Sequence, residues 1–285
     1  MSTTYASADS STTAVSDFAV LWGSRRPAHA ARGPRLLPLA SGTGTPLFLL
    51  PWTSGNIAFV RDIVDTFRHG HPVYGFEAAG LRDRSEPLLS VADTAERCVQ
   101  EIRRVQPDGP YLLGGLCGGS QVAYEIASRL AAAGAEVGPV TLVNAARGEL
   151  ADGPRLDLAD LYELRLASLR QRFGTDDLVA DLGHVMDQMR ELHWIDDDMP
   201  AQDFFWRQVV WSASMYGFLR CRLRPLDVPV HVFMAQESAQ DPEVVWSDIA
   251  PRSTLTALDA VTSGQIMQSP AFVSALHAAF SQVSS

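Results

Sequence analysis

The chain has 285 residues, 46% of them hydrophobic, enough to bury one large core, and α/β proteins of this length are routinely one domain. A formal net charge of −10 argues against a surface built to neutralise nucleic-acid phosphates or an anionic membrane, where lysine and arginine would have to dominate. Three cysteines, Cys98, Cys117 and Cys221, show no metal-ligand spacing, and neither a secretory signal nor an apolar run of ~18 residues is present, so free thiols, no bound metal and a cytoplasmic setting are expected.

Residues 1–34 are rich in serine, threonine and alanine without a sustained apolar period, and are predicted to be a mobile leader. From residue 35 to 285 apolar runs alternate with helical stretches. Leu47 to Trp52 reads as a strand, Ile57 to Arg68 as a helix and Pro72 to Phe76 as a strand. Val91 to Val105 reads as a helix capped by Ser90 with Asp93 three residues on, and Tyr111 to Leu113 as a short apolar strand after a Gly-Pro turn. A helix follows from Ser120 to Leu130, then a strand from Val140 to Asn144. Residues 150–224 interrupt the alternation with helical segments carrying Trp194, Phe204, Phe205, Trp206, Trp211 and Tyr216. Val228 to Ala235 and Thr254 to Leu258 resume strand character, and Pro270 to Phe280 closes with a helix. Strands alternating with helices imply a mostly parallel sheet with right-handed crossovers, an α/β fold with one helical insertion.

The segment Gly115-Leu116-Cys117-Gly118-Gly119 lies between the apolar strand and the following helix. That is the context of a nucleophile elbow, a sharp strand-to-helix turn that holds its central residue in a strained conformation, with glycines where a Cβ would collide with neighbouring backbone. A G-x-C-x-G alone is weak, because a cysteine between glycines is usually packing. The strand, turn and helix around it make Cys117 a candidate nucleophile.

The run Gly109 to Gly119, followed by Ala123-Tyr124-Glu125, resembles the thioesterases of non-ribosomal peptide and polyketide assembly lines. So do Pro72 to Phe76 with Gly80-Leu81, and Leu50-Pro51-Trp52-Thr53-Ser54-Gly55 at the first strand end. The resemblance implies an α/β-hydrolase fold with residues 150–224 as a lid above the nucleophile. It places the nucleophile, usually serine in the family, on Cys117, and an oxyanion hole on the backbone N–H of Gly118 with another near Trp52 or Thr53. The family's orienting acid falls on Asn144, which is not an acid, with Asp241 as a reserve after the later strand. The family's Gly-x-His near the C-terminus has no counterpart in Thr262 to Pro270. Gln265 is a candidate to fill that space, although an amide cannot relay a proton, and His193 in the lid is a candidate base from elsewhere.

Three functions fit the resemblance. In the first, Cys117 acts as a thiolate at a helix N-terminus, forms an acyl-enzyme, and passes the acyl group to another thiol or amine, or closes a ring. An alternative is a hydrolytic editing thioesterase. A third is a catalytically silent member that binds an acyl- or peptidyl-carrier protein. In each, the substrate is an acyl thioester on the partner's phosphopantetheine arm, with no cofactor in this chain itself. Arg82, Arg84, Arg147, Arg220, Arg222 and Arg224 are candidate contacts for an acidic carrier.

Overall fold

The computed structural model describes residues 16–26, 33–146, 156–192, 194–239, 245–260 and 262–283. Seven strands form one sheet: β1 (Arg35–Ala40), β2 (Leu47–Leu50), β3 (Val73–Glu77), β4 (Tyr111–Leu116), β5 (Val137–Val143), β6 (Val230–Ala235) and β7 (Ser253–Leu258), in the order β1-β3-β2-β4-β5-β6-β7. β1 runs antiparallel to β3 and every other pairing is parallel. All four residues of β2 and all six of β4 are buried, as expected of central strands covered on both faces.

Alternate residues of those strands feed different cores. Phe48, Leu50, Tyr111 and Leu113 pack with α2 (Val91–Val105) and α3 (Gly119–Ala132), while Leu47, Leu49, Leu112 and Leu116 pack with α8 (Pro270–Val283). α2 buries Val91, Ala95, Cys98 and Ile102, and Ser90 caps it by accepting from the Asp93 N–H at 3.3 Å. β2 stops at Leu50 rather than Trp52, because Pro51 has no N–H to donate to the ladder.

The helix expected over Ile57 to Arg68 is instead two 3-10 segments, Ala58–Asp62 and Val64–Thr66. The helical spacing still buries Val60, Val64 and Phe67. Branching at Ile57, Val60, Ile63, Val64 and Thr66 restricts χ1, and neither segment has a side-chain cap, so nothing holds a longer α-helix.

Part of the stretch read as a leader is ordered. α1 (Phe18–Gly23) is capped by Asp17 and buries Leu21; Phe18 packs on Tyr162 with ring centroids 5.4 Å apart, and the Tyr162 hydroxyl donates to the Ser16 carbonyl at 2.8 Å. Periodicity over six residues is too short to read from sequence. The insertion comprises α4 (Leu158–Phe173), α5 (Leu182–Glu191) and α6 (Phe204–Arg220), which share a separate core with Leu21 and Leu81. Every residue from Phe204 to Val210 is buried, so α6 runs through the centre of that layer. A short helix, α7 (Ser263–Gln268), precedes α8. Among the described residues no helix is long and apolar enough to cross a membrane.

Candidate active site

Cys117 sits between β4 and α3 with φ +50°, in the left-handed region where an L-residue costs about 1–2 kcal/mol. Backbone hydrogen bonds hold it there: its N–H donates to the Val143 carbonyl at 2.8 Å, and the Ser120 N–H donates to its carbonyl at 2.9 Å. The flanking glycines permit the turn. A Cβ on Gly115 would run into Cα of Ser120, and one on Gly119 into the Pro51 carbonyl oxygen. Cys117 is exposed, Cys221 half-buried and Cys98 fully buried, with its thiol pKa pushed well up by that burial. Only Cys117 of the three lines a cavity of about 460 Å³ beneath the helical insertion.

Thr53 lies beside it, with Oγ1 3.9 Å from the Cys117 Sγ. A Cβ on Gly118 would come within 2.5 Å of that same Oγ1, so the loop after β2 and the start of α3 meet directly under the sulfur. Among the described residues neither the Thr53 nor the Gly118 N–H is taken by a backbone acceptor. Trp52 also lines the cavity and packs on Phe59, with centroids 4.2 Å apart and the rings tilted by 30°.

Asn144 follows β5 with φ +49°, a conformation asparagine tolerates better than most residues. Its N–H donates to the Phe233 carbonyl at 2.8 Å, its Oδ1 accepts from the Ala235 N–H at 3.1 Å, and its Nδ2 donates to the Ser263 Oγ at 2.9 Å. The structure thus brings Cys117, Asn144 and Ser263 to one cavity and ties two of them together. Ser263 was not a candidate from sequence. The faint signal for it is the capping box Thr262-x-x-Gln265, which makes Ser263 the first residue of α7.

Gln265 does not fill the space of the missing base. Its side chain reaches back to accept from the Thr262 N–H at 3.0 Å, completing the capping box on the exposed side of α7. His193, Asp241 and Arg147 lie outside the described residues. His277 stacks on His69 at 4.2 Å, away from the site, and none of the five histidines among the described residues lines the cavity.

The helical insertion is fastened over the cavity by a polar network. Glu77, 1% exposed at the end of β3, accepts twice from Arg82 Nε at 2.9 Å. Arg82 also meets Asp196 at 3.1 Å, and Asp196 pairs with Arg207 of α6 at 3.0 Å and accepts from Asn56 at 3.2 Å. Burial works against the ionised Asp196, but Arg207, Arg82 and the Asn56 amide outweigh it and hold that carboxyl below the usual carboxylate range. Arg84 is bound to Asp203 at 3.1 Å. Arg82 and Arg84, candidate contacts for a carrier, therefore fasten the insertion as well.

A strained cysteine elbow at the C-terminal edge of a mostly parallel sheet, roofed by a helical insertion, defines an α/β-hydrolase architecture. The model of the thioesterase domain family matches residues 45–278, and the chain belongs to that family. It is 37% identical over 89 residues to the nonribosomal peptide synthetase btyA of Aspergillus terreus, covering 31% of this chain and 10% of the synthetase. To the polyketide synthase PksR of Bacillus subtilis it is 33% identical over 114 residues, 39% of this chain and 4% of the synthase. The chain thus matches a small part of the length of these relatives. The solved structure of YbtT, a type II thioesterase from the yersiniabactin pathway, superposes with a TM-score of 0.63 at 20% identity, covering 88% of this chain and 99% of YbtT, which shows the shared fold.

Proposed function

We propose that this protein is an acyltransferase or offloading enzyme that takes an acyl group from a carrier-protein-bound thioester onto Cys117 and passes it to a nucleophile other than water. The observation that carries the reading is the cavity itself: it holds Cys117 on a strained elbow together with an Asn144–Ser263 pair, and none of the described residues that line it is a histidine. The Cys117 thiolate adds to the thioester carbonyl, and the negative charge on the carbonyl oxygen is met by the N–H groups of Gly118 and the Trp52-Thr53 loop. Collapse breaks the bond to the pantetheine sulfur, which leaves and takes up the proton Cys117 had released. An incoming thiol or amine then attacks the acyl carbon and breaks its bond to the Cys117 sulfur, which leaves as the thiolate and takes up the proton that the incoming nucleophile releases. Thiol-thioester exchange is nearly isoenergetic and needs little base assistance, whereas water attack gains typically 10²–10⁴-fold from a positioned base.

The likeness to YbtT, a type II thioesterase, favours hydrolytic editing as the second reading. Incubation with an acyl-loaded carrier protein, followed by intact-protein mass spectrometry, separates the two. The transfer reading expects an adduct on Cys117 that persists in buffer and is discharged by a second carrier thiol or an amine. Rapid release of free acid supports hydrolysis, and no adduct with intact carrier binding supports a silent binder.

A further inference from the structure

Among the described residues the cavity over Cys117 is lined by two arginines, Arg165 and Arg207, and by no Asp or Glu, although the chain as a whole carries a charge of −10. Arg207 is accounted for, because it and Arg82 face the two carboxylates of Asp196 and Glu77. Arg165 is not. Among the described residues it has no acidic partner, and burial without a compensating charge pulls its pKa down to about 10. A half-buried cation without a compensating charge is costly, and one that lines a cavity can recover that cost by pairing with an anion.

The geometry of Arg165 is that of a receiver. Its Nε donates to the Gln208 Oε1 at 3.0 Å, and its guanidinium lies 5.1 Å from the centre of the Trp211 ring. Gln208 is itself fixed, donating to the Phe204 carbonyl at 2.8 Å within α6. One edge of the fork is thus held by an amide and its face by an indole, while its two terminal nitrogens make no hydrogen bond among the described residues. A planar fork oriented in this way matches a carboxylate bidentately. We infer that Arg165 binds a carboxylate at the far end of the acyl group, so that the substrate is the thioester of a dicarboxylic acid or of an acyl chain bearing an acidic side group. The phosphate of the pantetheine arm does not fit this role. It lies at the opposite end of the arm from the thioester, and the arginine shares one cavity of about 460 Å³ with the sulfur that must meet the thioester. The inference rests on the acyl-enzyme reading for its substrate, but the anion site can be tested without it.

The test compares N-acetylcysteamine thioesters, which carry no phosphate: succinyl, glutaryl and adipoyl, each against its neutral methyl ester. Mass spectrometry follows the rate of Cys117 acylation. The expected result is a preference of about tenfold or more for at least one acid over its ester, the size of a charge-assisted hydrogen-bonded contact. In Arg165→Met the ratio falls towards one, and Arg165→Lys retains part of it. Equal rates for every acid and ester in the unaltered protein, or an unchanged ratio in Arg165→Met, overturn the inference. If no thioester acylates Cys117, the acyl-enzyme reading fails by itself, and binding of the free diacids, read by Trp211 fluorescence, still decides the anion site. Saturable quenching that weakens about tenfold in Arg165→Met upholds it, and no binding, or binding indifferent to the substitution, overturns it.

Discussion

Cys117 and Asn144 hold left-handed φ values of +50° and +49°, and each is locked by a hydrogen bond from its own N–H to the next strand over. Strain of this kind persists only where the surroundings over-determine it, and here it aims both side chains at one cavity. A neutral amide at Asn144 satisfies the Ala235 N–H and the Ser263 hydroxyl without adding negative charge beside the sulfur. In the proposed transfer no imidazole assists, and the chemistry depends on a nucleophile that ionises unaided. Cys117→Ser should therefore lower acyl-enzyme formation by about a hundredfold or more, read by mass spectrometry of the adduct, because an alcohol needs a base and the described residues of the cavity lining include no histidine or carboxylate. The converse experiment adds the base. In Asn144→Asp with Ser263→His, an imidazole replaces the hydroxyl that Asn144 now holds and a carboxylate takes over its orientation. Release of free acid from the acyl-enzyme should rise about a hundredfold, measured as the single-turnover decay of the adduct. An unchanged decay would mean that Ser263 does not occupy the position from which a base acts. Cys117 and its glycines were legible in the sequence because the elbow is a local pattern. Ser263 was not, because its role depends on a contact with a residue 119 positions away.

Among the elements, the insertion is held to the sheet by few polar links, and Asp196 is their hub, meeting Arg82, Arg207 and Asn56. Asp196→Asn removes the charge that two guanidiniums share and should destabilise the insertion by about 3 kcal/mol, the range for breaking a partly buried pair, seen as a lower unfolding temperature. The sign of the pH effect follows from the direction of the shift. A carboxyl whose folded-state pKa lies below its unfolded value contributes stability above the unfolded value, about 4, and loses it as pH falls through the folded one. Thermal unfolding between pH 7 and 2 should show an acid-dependent loss in the unaltered protein that is shallower in Asp196→Asn. Element type was readable from the helical period of α2 and from the short apolar runs of β4 and β5, which are buried on both faces. It failed over residues 57–68, where the apolar spacing is helical but crowded β-branched residues give 3-10 turns, and over Phe18–Gly23, whose order comes from packing on α4 and α6.

For the whole molecule, a net charge of −10 opposes docking of an acidic carrier unless cations are gathered at one place. Three cavities suggest where. The Cys117 cavity shares Trp52 and Thr53 with an apolar one of about 70 Å³, which shares Ser90, Val91 and Gly217 with a surface pocket of about 490 Å³ carrying Arg220, Arg222 and Arg224. Arg220 leans on the Tyr216 ring at 3.6 Å, and Arg222 and Arg224 are exposed with no ion pair among the described residues. If the protein takes its acyl group from a carrier, as proposed, this face offers the carrier's acidic helix opposite charge next to cavities that share lining residues in turn with the one holding Cys117. Reversing Arg222 and Arg224 to glutamate should lower kcat/KM for a carrier-bound thioester about tenfold at low salt, with the difference shrinking as salt exceeds about 0.15 M and screens exposed charges. The same variant should change acylation by an N-acetylcysteamine thioester far less, since that substrate reaches the cavity without docking. Equal losses on both substrates would place the effect inside the cavity, and no loss on the carrier substrate would move the docking face elsewhere.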